Sequence, residues 1–135
     1  MRSVTLMVLA AVLVWAHHGD AGRYDENVVT MTGTVVELQW VDPHAILVLD
    51  VPNDKGVNVR WQAELGGRTG MARSGWTKNT LKAGDKVTLT GRKVKSGAPY
   101  MNLTERANVV LTATGKELFR TPNFGQPAPP PEPAK

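Results

Sequence analysis

Three histidines, His17, His18 and His44, are the residues of this chain best suited to chemistry, and two of them stand beside an apparent cut site. Arg2 precedes a nearly unbroken apolar run from Val4 to Trp15, and Val14-Trp15-Ala16 offers small or tolerated side chains where a signal peptidase reads. The run is shorter than the about 20 apolar residues that a membrane-spanning helix needs. It reads as an export leader, residues 1–16, with a buried core helix as the alternative. Cutting after Ala16 makes His17 the new amino terminus. A terminal histidine offers its free amine and its own ring nitrogen to one metal. A further imidazole completes a flat, nitrogen-rich site of the kind that suits Cu(II). His44, in Trp40-Val-Asp-Pro-His44, is the candidate for that imidazole, and Asp20 or Asp42 for an added oxygen. The candidate metal residues are therefore His17, His18 and His44, and the candidate cofactor is copper. The plainer reading of the same residues is a solvated, fraying terminus and a polar side chain capping a strand corner.

Other chemistry finds little footing. Beyond the leader only Ser74 and Ser96 remain as serines, and neither lies in a nucleophile elbow. The chain has no glycine-rich phosphate loop and no H-E-x-x-H helix, and its carboxylates are dispersed, so spacing proposes no acid–base pair. Cysteine is absent, which excludes disulfides, thiol chemistry and thiolate metal sites. The expectation is a periplasmic binding or accessory protein, not an enzyme. Losing Arg2 with the leader leaves 15 basic against 12 acidic residues, a net charge of +3. Those charges are scattered, where a nucleic-acid binder would cluster them. Only Arg92, Lys93 and Lys95 stand close together, at what reads as a hairpin tip. Trp40, Trp61 and Trp76 could stack bases if exposed, but Trp61 falls on the apolar phase of its strand and reads as core. The expected partners are a small ligand, a metal or a periplasmic protein. Nucleic acid is not among them, and membrane contact ends with export.

These residues need elements to place them, and from Tyr24 to Phe119 the patterning is that of strands. Val57, Val59, Trp61, Ala63 and Leu65 alternate strictly with Asn58, Arg60, Gln62 and Glu64, the period of a half-buried antiparallel strand. Upstream, Val29, Met31, Gly33 and Val35 hold one phase while Val36, Leu38 and Trp40 hold the other. A β-bulge beside the glycine in a long, bent strand gives such a change. Ile46 to Val51 is a strand of its own, joined to the Val57–Leu65 strand by the turn residues Pro52-Asn-Asp-Lys-Gly56. Val87, Leu89 and Gly91 open another strand, Ala107 to Leu111 forms the last long one, and Thr114-Gly115 turns into a short Lys116–Phe119 segment. Gly67 to Trp76 breaks the pattern and has room for about two helical turns.

Three strands, a short helix and two strands is the order of an OB-fold, a five-stranded Greek-key barrel whose first strand is long and bent. The expected domain, residues 17–120, is therefore all-β with one short helix in a five-stranded OB-fold-like barrel. A flatter β-sandwich is the alternative. Six of the nine prolines fall between Pro122 and Pro133. Residues 121–135 are accordingly expected to be a disordered, proline-rich tail sampling extended polyproline conformations.

In order along the chain stand Ala16-His17-His18, Thr32-Gly33-Thr34-Val35, Asp42-Pro43-His44, Trp61-Gln-Ala-Glu64, Gly75-Trp76 and Leu81-Lys-Ala-Gly84-Asp85. This ordered set resembles a family of small exported bacterial proteins known as domain of unknown function 6152. Two details differ from the family's usual pattern. Gly19-Asp20 stands where an aromatic commonly follows the paired histidines, and Asp42 stands where asparagine is common. The resemblance, which runs from residue 16 to about residue 119, implies export and one β-rich domain. It implies no substrate and no reaction.

Overall fold

The first strand, β1 (Tyr24–Gln39), changes partners partway along its length, and that change closes the barrel. From Tyr24 to Thr34 it pairs antiparallel with β4 (Lys86–Val94), and from Thr34 to Gln39 with β2 (Ile46–Pro52). Gly33 makes the crossing feasible, because a Cβ there would stand 2.6 Å from the carbonyl oxygen of Asp50. The expected bulge follows directly, as a register shift between Val35 and Glu37. The computed structural model describes residues 22–131 and 133–134, so the leader, His17, His18 and Asp20 lie outside the described residues.

β2 forms a regular hairpin with β3 (Asn58–Glu64). Its turn is held by the Asn53 side-chain oxygen, which accepts from the backbone N–H of Lys55 and Val57 at 2.9 and 3.0 Å. The helix α1 (Arg68–Arg73) follows, shorter than the Gly67–Trp76 segment read from sequence. After β4, the short β5 (Tyr100–Asn102) runs parallel to β3 and antiparallel to β4. The ring β1-β2-β3-β5-β4 therefore returns to β1, a closed five-stranded β-barrel with one short helix. The flatter sandwich is excluded. β6 (Asn108–Leu111) continues along β4, and β7 (Glu117–Arg120) pairs with β6.

Val35, Leu47, Leu49, Ala63, Leu65, Val87, Leu89, Met101 and Val109 point into one core, joined by Met71 of α1 and by Trp76. Two sequence expectations are corrected here. The core tryptophan is Trp76, 3% exposed, whose indole N–H donates to the Leu118 carbonyl at 2.8 Å. Trp61 has the expected facing and packs against the core, but it is only half-buried, although its cross-strand partner Leu49 is fully buried. The second correction concerns Arg92. Its side chain is 14% exposed, paired with Glu105 at 2.7 Å, and lies over the Tyr24 ring, so it is no solvated hairpin tip.

Beyond residue 120 the chain first stays on the domain. Thr121 is buried and donates its N–H to the Ala107 carbonyl at 2.9 Å. The Asn123 side-chain oxygen accepts from the Arg106 N–H at 2.7 Å, and the Arg120 guanidinium lies over the Phe124 ring.

Candidate functional site

β3 ends on Glu64, and the barrel brings three distant side chains to its carboxylate. The backbone at Glu64 is fixed on both sides, paired with Ile46 of β2 and Asn102 of β5. Tyr100, the first residue of β5, donates its hydroxyl to Oε2 at 2.7 Å. Tyr24, the first residue of β1, donates to the same oxygen at 3.2 Å. These are the only two tyrosines of the chain, and both serve this one carboxylate. Burial, together with the negative charge of Glu64 and its hydrogen bonds, pushes both phenols above the ordinary tyrosine pKa. The Arg23 guanidinium lies 5.4 Å over the Tyr24 ring and 5.5 Å over the Tyr100 ring, and Arg92 lies 5.4 Å over Tyr24.

The third side chain is His44. Its corner between β1 and β2 is stitched to the end of β3: Ala45 N–H donates to the Gly66 carbonyl, and Leu65 N–H to the Ala45 carbonyl, both at 2.9 Å. The ring itself meets the Leu65 carbonyl through Nδ1 at 3.0 Å. A carbonyl only accepts, so Nδ1 carries the proton. In the neutral ring Nε2 then keeps its lone pair, and it lies 3.5 Å from Oε1 of Glu64. The Glu64 side chain is 15% exposed and that of His44 46%, so the pair sits at the protein–water boundary.

Of the residues singled out from sequence, His44 is thus in a polar cluster, whereas His17, His18 and Asp20 lie outside the described residues. Asp42 is corrected: it does not turn toward His44 but binds Arg68, accepting its backbone N–H and its Nε at 3.0 Å each. Those hydrogen bonds hold the Asp42 carboxyl below its ordinary pKa. Among the described residues no group of three or more histidine, cysteine, aspartate or glutamate side chains forms a metal site, and His44 with Glu64 makes a pair.

Tyr24, Glu64 and Tyr100 escaped the sequence reading, because the carboxylates look dispersed along the chain. One signal was available. Glu64 is the last residue of the strand's polar phase, after Asn58, Arg60 and Gln62, and closes the Trp61-Gln-Ala-Glu64 motif.

No curated protein matches the chain. The profile of a family of unknown function, DUF6152, matches residues 6–101, a span that takes in Tyr24, His44, Glu64 and Tyr100. The chain belongs to that family, as the ordered motifs from the paired histidines to the Gly84-Asp85 turn had led us to expect.

Proposed function

We propose that the protein is an exported binding domain, not an enzyme, and that its ligand is a transition-metal ion, Cu(II) foremost. In this reading His44 Nε2 and Glu64 Oε1 supply two donors, and the amino-terminal histidines supply the others once the leader is cut after Ala16. The observation that carries the reading is the state of His44. A backbone carbonyl fixes its tautomer through Nδ1 and leaves Nε2 beside a carboxylate oxygen. Metal-ligating histidines are commonly held this way. Two donors each about 2.0–2.2 Å from one ion stand about 2.8–3.1 Å apart at the 90° angle of a flat site and about 3.3–3.6 Å apart at a tetrahedral angle. The observed 3.5 Å is a tetrahedral spacing, so the pair chelates in a flat Cu(II) site once the half-exposed His44 ring closes by about 0.5 Å.

Reach supports the rest of the donor set. Tyr24 touches Glu64, so the start of β1 stands at the site. His18 is six positions ahead of Tyr24, at most about 20–22 Å of extended chain. The absence of cysteine removes soft thiolate ligands and leaves imidazole, amine and carboxylate, a set that favours Cu(II) among the common divalent ions. A docking edge for another protein has less support, since the Trp76 indole already takes the Leu118 carbonyl of the terminal strand β7.

The test is copper titration of protein recovered from the periplasm with its natural terminus, alongside His44→Ala and a form carrying one extra residue ahead of His17. One tight site in the natural form, weakened in both variants, is the expected result. Equal copper affinity in parent and His44→Ala would overturn the site.

A further inference from the structure

Glu64 is held in an unusual way for a carboxylate that merely fills a barrel end. A carboxylate oxygen has two lone pairs, and both donors to Glu64 converge on the same one, Oε2. Among the described residues no hydrogen bond reaches Oε1, and His44 Nε2 stands 3.5 Å from it, longer than the about 2.7–3.2 Å of an N–H···O hydrogen bond. One oxygen is therefore occupied and the other is presented.

We infer that Tyr24 and Tyr100 are positioning residues for a metal ion: by occupying Oε2 they fix Glu64 as a one-oxygen ligand whose Oε1 faces His44 Nε2. The inference rests on the metal-binding reading above. Three further features of the cluster agree with it. Tyr24 is 2% exposed, so its ring has little freedom to swing away. Arg23 covers both rings, and Arg92, itself tied to Glu105, covers one. The tyrosines come from separate elements, β1 and β5, so two independent parts of the barrel hold the one oxygen. Without the phenols, Glu64 would be free to turn about its last bond and offer both oxygens. The coordination would then change in geometry as well as in strength.

The experiment uses the processed full chain and the variants Tyr100→Phe, Tyr24→Phe and His44→Ala. Phenylalanine keeps the ring and removes only the hydroxyl. Copper affinity is measured by titration, the coordination by the Cu(II) electron paramagnetic resonance spectrum, and folding of the metal-free forms by thermal melting. We expect each phenylalanine variant to melt as a folded domain, to bind copper about 10–100-fold more weakly, and to show a changed spectrum. The Tyr100 change should be the larger, since its hydrogen bond is the shorter, 2.7 against 3.2 Å. Parent-like affinity and spectrum in Tyr100→Phe overturn the inference while leaving the metal site standing, provided His44→Ala loses binding. A parent that binds no copper overturns both. A lower melting temperature with an unchanged copper spectrum shows a purely structural carboxylate cluster and also overturns it.

Discussion

Gly91 of β4 lies so close to Asn102 of β5 that a Cβ on the glycine would stand 2.5 Å from the asparagine carbonyl oxygen. The position has a topological reason. Thr90 pairs with Asn108 of β6 and Arg92 with Asn102 of β5, so β4 exchanges partners across Gly91. Gly33 stands beside Thr34, where the pairing of β1 with β4 on one edge, through Lys86, meets its pairing with β2 on the other, through Asp50. Both glycines meet a backbone carbonyl of a neighbouring strand, which yields less readily than a side chain.

Alanine at either position should therefore destabilise the barrel by about 1–3 kcal/mol, the usual cost of overpacking. Gly70 provides the contrast. It lies within α1, and a Cβ there meets nothing within 4 Å. Gly70→Ala should stabilise by about 0.5–1 kcal/mol through helix propensity and a less free unfolded chain. Urea denaturation of the three variants checks the set. Similar shifts of the midpoint in all three would show that the partner exchanges do not depend on glycine.

The tryptophans separate in the same assay. Trp76 is buried, packs edge-on against Phe119 and bonds the Leu118 carbonyl, so it links the segment after α1 to β7. Trp76→Ala should cost about 3–5 kcal/mol, a large share of the about 5–15 kcal/mol that holds a domain together. Trp61 is half-buried, and its truncation should cost clearly less. A Trp61→Ala midpoint below that of Trp76→Ala would contradict the order of burial.

What could be read from residues alone, and what could not, follows from the range of the forces involved. Alternation from Val57 to Leu65 and the phase change beside Gly33 are local, and they were enough for the barrel and its bent first strand. β5 was missed because Tyr100-Met-Asn102 is too short to show a period, and its strand character comes from the parallel pairing with β3. Trp61 was placed too deep because alternation reports facing but not depth. Glu64 looked isolated since its partners lie 36 and 40 residues away and meet it only when the ring of strands closes. His44 was legible as a polar corner residue, whereas the hydrogen bond that sets its tautomer was not.

Asp42 and His44 occupy one corner and should prove to have opposite functions. Asp42 Oδ1 accepts the Arg68 N–H at the start of α1, and its Oδ2 meets the Arg68 guanidinium at 2.9 Å. Asp42→Ala should loosen that start and lower stability while leaving copper affinity at the parent's value. His44→Ala removes a half-exposed ring and one hydrogen bond to Leu65, worth about 0.5–1.5 kcal/mol, but it should abolish the tight copper site. The two variants also differ in acid. The Arg68 hydrogen bonds depress the Asp42 carboxyl in the folded state. Its contribution is therefore complete above the unfolded carboxylate value of about 3.9 and is lost as pH falls through the lower folded value. The stability gap between parent and Asp42→Ala should hold steady at neutral pH and narrow only in strong acid. Thermal melts across pH, paired with copper titration of both variants, give the readout. If Asp42→Ala loses copper as His44→Ala does, the corner acts as one unit and the division between a helix tether and a metal ligand fails.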